Sequence, residues 1–133
     1  MKKRLFALLT ISMALLMFLS VTVCAVEARY VYTTSVTSTL TILNGTAYCK
    51  SSAKGNSTVT QIDGIQYLEK KNGDKWETVS NGTWSDSSSR NALTMSNSKD
   101  NIGSGTYRVR TVFTVYSGSS SEVVEKISKE KTV

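Results

Sequence analysis

The chain has 133 residues, with 16 lysines and arginines against 10 acids, no proline and no histidine. The missing histidine excludes Ser-His-Asp and Cys-His catalysis assembled within the chain and removes the commonest metal ligand. A net charge of +6, scattered instead of clustered, is no nucleic-acid footprint.

Residues 1–28 read as a secretory signal peptide. Lys2, Lys3 and Arg4 precede an apolar run from Leu5 to about Ala25, and Val26 and Ala28 supply a small-x-small ending. The run is also long enough to cross a bilayer, so cleavage nearer Ala25 or retention as an anchor stays open. A lipoprotein site at Cys24 would want a small residue before it, and Val23 fits poorly. Cleavage after Ala28 is the expectation. It leaves residues 29–133 as one secreted domain of 105 residues that meets the membrane only in transit. The 13 remaining basic residues and nine acids give that domain a charge of +4. Only Cys49 remains, so an internal disulfide is impossible, and its strand-like surroundings predict a buried thiol over an intermolecular link.

Serine and threonine supply 33 of these 105 residues, and many threonines sit among valine, isoleucine and tyrosine, where branched side chains suit extended backbone. Glycine and asparagine turns cut the chain into short segments. The first strand is expected over 36–43, ended by Asn44-Gly45. The second, over 46–53, places Ala47, Cys49, Ser51 and Ala53 on one face. The third runs over 58–70, with Ile62 and Leu68 on one face, Ile65 and Tyr67 on the other, and a bulge expected at Asp63-Gly64. Lys71-Asn72-Gly73-Asp74 is the clearest hairpin turn. A fourth strand over 75–79 ends at Asn81-Gly82, followed by a polar loop through Ser85 to Ser89.

A short fifth strand over 92–96 turns Leu93 and Met95 to one face. The sixth, over 106–116, has the strongest alternation. Tyr107, Val109, Thr111, Phe113 and Val115 share one face, and Arg108, Arg110, Val112, Thr114 and Tyr116 the other. The seventh is expected over 121–127, ahead of a fraying basic tail; a helix over 122–131 is the competing reading. Seven short strands predict an all-β, antiparallel immunoglobulin-like β-sandwich, with a small open β-barrel as the alternative.

Gly105-Thr106-Tyr107-Arg108-Val109 resembles the start of the penultimate strand of immunoglobulin-like domains. The resemblance implies that Tyr107 makes the corner hydrogen bond and that Val109 takes the place of the second bridge cysteine, facing Cys49. The usual tryptophan is absent from the third strand, where Leu68 would pack instead. The domain is also similar to a group of small secreted proteins of unknown function from Gram-positive bacteria. The likeness rests on Leu40-Thr41-Ile42 leading to Gly45-Thr46-Ala47 and Cys49, on Tyr67-Leu68 and Lys70-Lys71 followed by Trp76, and on the Tyr107 segment. It implies no catalytic residue.

No cofactor, metal or enzymatic role is expected. Glu69, Asp74 and Glu77 surround one hairpin beside lysines and read as a charge-balanced turn. Asp100 and Asn101 lack the further oxygens that calcium requires. The sequons at Asn44, Asn56 and Asn81 read as turn residues. Aromatic residues beside cations are the better lead, because they stack on sugars or anchor interfaces. Tyr48, Trp76, Trp84, Arg108, Arg110 and Tyr116 form the candidate binding surface; Cys49, Leu68, Tyr107 and Val109 are the structural set. The competing role for the two tryptophans is to cover sheet edges or cap the core. The expected function is noncatalytic binding of a cell-wall polymer or an extracellular protein, with a bacteriocin-like or toxin-like antagonist as the alternative.

Overall fold

The computed structural model describes residues 29–133. The signal peptide expected over 1–28 lies outside the described residues. Eight strands follow in chain order: β1 (Thr33–Leu43), β2 (Thr46–Gly55), β3 (Gln61–Asn72), β4 (Lys75–Ser88), β5 (Ala92–Lys99), β6 (Thr106–Ser117), β7 (Ser120–Ile127) and the short β8 (Lys131–Thr132). One sheet has the order β1-β2-β5. The other has the order β4-β3-β6-β7, with β8 pairing beside β7 on the same edge of β6. All pairings are antiparallel, and the sheets stack without closing into a barrel. The fold is an immunoglobulin-like β-sandwich. Its fourth strand stays with the larger sheet, whereas a constant-type domain moves that strand to the opposite layer. Among the described residues no helix is long and apolar enough to cross a membrane.

Turn chemistry fixes the registers. Asn44 and Gly45, at φ 51° and 77°, join β1 to β2 in a two-residue loop of the type that needs positive φ at both positions. Gly73-Asp74 and Gly118-Ser119 close the other two tight hairpins, with positive φ only at the glycine.

Several segments depart from the sequence expectation. Asn81-Gly82 is not a turn. Tyr67 pairs with Thr83 and Glu69 with Thr78, so the four residues 79–82 bulge opposite one residue of β3. Asn81 adopts φ 56° there, and β4 then continues through the serines expected in a loop. The ladder on both sides of Asp63-Gly64 is unbroken. Gly64 is there for close packing: a Cβ would come within 2.6 Å of the Met95 sulfur and 3.2 Å of Phe113. Thr58 precedes β3, where the Asn56 side chain accepts hydrogen bonds from its amide and hydroxyl. The tail forms β8 instead of fraying or turning helical. Between β7 and β8, buried Ser128 exchanges bonds with Val109: its amide donates to the Val109 carbonyl and its hydroxyl accepts from the Val109 amide.

Period-two alternation delivers two apolar clusters to the space between the sheets. One gathers Ile62, Leu93, Met95, Phe113, Val115 and Val124 around Ala53 and Val59. The other gathers Leu40, Ala47, Cys49, Leu68, Tyr107 and Val109. A polar layer lies between them. The Gln66 amide donates to Ser51 Oγ at 2.8 Å, Ser51 meets Thr111 Oγ1 at 2.7 Å, and the Asn97 amide donates to Gln66 Oε1 at 2.9 Å. Ser51, Gln66 and Thr111 are fully buried, and no buried side-chain polar atom among the described residues lacks a partner. Removing one member strands the others at a cost of about 1–3 kcal/mol.

Candidate functional site

The outer face of the larger sheet carries the densest chemistry. Side chains alternate across a strand, so the residues that turn Leu68 and Val109 inward turn Tyr67, Glu69, Arg108 and Arg110 outward. The register sets Glu69 opposite Arg108 and Tyr67 opposite Arg110. Arg108 Nε donates to Glu69 Oε2 and Arg110 Nε to Glu69 Oε1, both at 2.7 Å. Arg110 also reaches Glu125 at 3.4 Å. The Arg108 guanidinium lies 4.2 Å from the Trp76 ring centre and that of Arg110 lies 4.3 Å from Tyr67. Lys71 approaches Trp76 at 5.7 Å. These spacings fall within cation–π range.

The result is a ladder of two cation–ring stacks, joined and pinned by one carboxylate. Glu69 is only 4% exposed, covered by the two arginines it pairs with. The bond from Arg110 to Glu69 raises the arginine's pKa further, so its charge is permanent. Each Nε is occupied by Glu69. The terminal nitrogens of Arg108 have no hydrogen-bond partner among the described residues, and the Nε bond and the Trp76 ring hold their planar pair of donors in place. Half-exposed Ile65 and Ile127 and partly buried Val112 flank the ladder on the same face.

The six proposed binding residues do not form one surface. Trp76, Arg108 and Arg110 meet in the ladder. Tyr116 shares the face but lies six residues beyond Arg110 along β6, about 20 Å away. Tyr48 is half-exposed on the smaller sheet, pairing with Thr41 and Ser98, and lines a separate cleft of about 350 Å³. Trp84 is a correction. It pairs with Gln66 on the inward face and packs against both core clusters, because the bulge at 79–82 resets the parity of β4 before it. Tyr67 and Glu69 belong to the site but were not among the residues expected there; Glu125 is the cross-strand carboxylate that arginines on a strand face call for. The alternation that placed Tyr67 outward also places Glu69 outward, which gives the face of both but not their partners on β6.

The structural set lies together. Cys49, Leu68, Tyr107 and Val109 share the second cluster. The Tyr107 hydroxyl donates to the Gly103 carbonyl at 2.7 Å, four residues upstream, which is the corner geometry. Burial pushes the Cys49 thiol up to about 12, so the neutral form persists. Among the described residues no group of three or more Cys, Asp or Glu side chains gathers as a metal site.

No family model matches the chain, and no curated protein matches its sequence. A crystal structure of wild-type OgpA from Akkermansia muciniphila overlaps 84% of this chain and 33% of its own length, at TM-score 0.43 and 11% identity. The chain thus spans about a third of that protein, and the likeness is too slight to carry a fold or function across.

Proposed function

We propose that this is a secreted, noncatalytic domain that binds an anionic polymer of the cell envelope through the outer face of its larger sheet. The supporting observation is Arg108, stacked on Trp76 and held through Nε by Glu69, with its terminal nitrogens free of partners among the described residues. A planar guanidinium fork matches phosphate or carboxylate oxygens, and fixing it beforehand reduces the ordering cost of binding. The flanking apolar side chains give a carbon-rich chain a surface to lie on. The domain's charge of +4 favours approach to an anionic wall.

Retention on washed Gram-positive sacculi tests the proposal. Binding should weaken with salt, fall about tenfold in Arg108→Gln, and disappear when phosphodiester polymers are stripped by mild acid. Equal retention of Arg108→Gln, or of the protein on stripped sacculi, would refute it.

A further inference from the structure

Five strands lie at sheet edges: β1, β5, β4 and, side by side along β6, β7 and the two-residue β8. Unpaired edges invite another strand, and proteins guard them with charges, bulges or cover. Lys75, Glu77 and Asp86 guard β4, together with its bulge. Glu122, Glu125 and Lys126 guard β7, and Lys99 ends β5. The eleven residues of β1 contain no charge, and their ladder with β2 is continuous from Ser35 to Leu43.

The backbone direction of this edge follows from its hairpin. The Leu43–Thr46 pair closing a two-residue loop exchanges both hydrogen bonds, and every second pair does the same. Val36, Ser38, Leu40 and Ile42 therefore turn their N–H and C=O groups to the open side, where β1 pairs with no other strand. At one end of this seam, Glu122 of β7 bonds the amides of Val31, Tyr32 and Thr33 and closes it. At the other end it opens. Ser38, Thr39, Leu40 and Thr41 face Lys129 and Lys131 across a cleft of about 340 Å³. Neither lysine has an ion-pair partner among the described residues.

We infer that β1 accepts an extended acidic peptide segment as an added strand, antiparallel or parallel to it, with acidic side chains meeting Lys129 and Lys131. Backbone pairing along β1 supplies the affinity, and the two lysines supply the preference. The same lysines oppose a second copy in this place, because pairing β1 with β1 would bring both lysine pairs towards the shared seam.

The test uses a fluorescent decapeptide alternating threonine and glutamate, titrated with the purified protein and read by anisotropy. A peptide of the same sequence, N-methylated at every residue, keeps the charge but loses the backbone donors on both edges. Saturable binding of the first, about tenfold weaker in Lys129→Glu/Lys131→Glu and undiminished in Arg108→Gln, is the expected result. The N-methylated peptide should bind at least about tenfold more weakly. No binding, equal binding of the N-methylated peptide, or equal binding to the double variant would overturn the inference. So would a concentration-dependent dimer that excludes the peptide, since a second copy would then own the edge.

Discussion

Glu122 ties the start of the domain to its last long strand, and replacing it should show how much that tie contributes. One oxygen accepts from the Tyr32 amide at 2.9 Å, the Thr33 amide at 2.6 Å and the Thr33 hydroxyl at 2.8 Å. The other accepts from the Val31 amide at 2.8 Å. Glutamine keeps one oxygen but sets an NH2 group against the Val31 N–H, donor against donor. Hydrogen bonds to a charged group contribute about 1.5–3 kcal/mol when well buried. This carboxylate is partly open to water, which screens it, so we expect Glu122→Gln to cost about 1–2 kcal/mol at pH 7. For a domain of this size, each kcal/mol moves Tm by about 4–8 °C.

The pH dependence identifies the charge as the cause. Desolvation pushes the Glu122 carboxyl up, but the bonds from the Thr33 side chain and the three amides outweigh it and leave the pKa below its ordinary value of 4.5. A lowered folded pKa stabilises the domain above the unfolded value, and that stability is lost as pH falls through the folded one. The gap between wild type and Glu122→Gln should be full at pH 7 and close progressively below about pH 4.5. Asp63, held low by bonds from Ser87 and Gln61, titrates in both proteins and cancels in the difference. Urea denaturation at pH 7 and at pH 3 measures it. No gap at pH 7, or a gap of equal size at pH 3, would refute the reasoning.

Two further outcomes follow from the core. Cys49 should resist thiol reagents in the folded protein and react at the rate of a free thiol in denaturant, since burial both covers it and holds it neutral. Rapid labelling of folded protein would contradict its placement. Tyr107→Phe keeps the buried ring but removes the bond to Gly103, which should lower stability by about 1 kcal/mol without changing the denaturant m-value. An unchanged unfolding midpoint would show that the corner bond is dispensable.

Strand parity and glycine turns made most of this fold legible. Ala47, Cys49, Ser51 and Ala53 face inward as alternation requires, as do Tyr107 through Val115 on β6. Trp84 was misplaced because three extra residues in the β4 ladder, an odd number, change which side chains face the core, and Asn81-Gly82 looks the same in a bulge as in a turn. Gly64 looked like a bulge because a missing side chain can mean either a kink or a close neighbour, and only the packed Met95 and Phe113 decide between them. Within the site, outward Arg108 and Arg110 were readable from alternation. Their shared partner was not, because the pairing of Glu69 with Arg108 depends on which strands become neighbours, and that is set by the whole topology.

Glu69 offers the sharpest separation of a binding face from a merely stable one. Glu69→Gln removes one negative charge, so long-range attraction alone predicts tighter retention on an anionic polymer. The geometry predicts the reverse. Glutamine offers one acceptor where two arginines each need one, and its NH2 would oppose an Nε–H group. The guanidinium groups would lose their common anchor and the fixed orientation of their free nitrogens. With the arginines partly hydrated, the expected loss of stability is about 1–3 kcal/mol, small enough for the domain to stay folded. Retention on sacculi should fall several-fold despite the added positive charge. Equal or tighter retention at low salt, with the melt confirming a folded domain, would mean that net charge and not the ordered ladder governs binding.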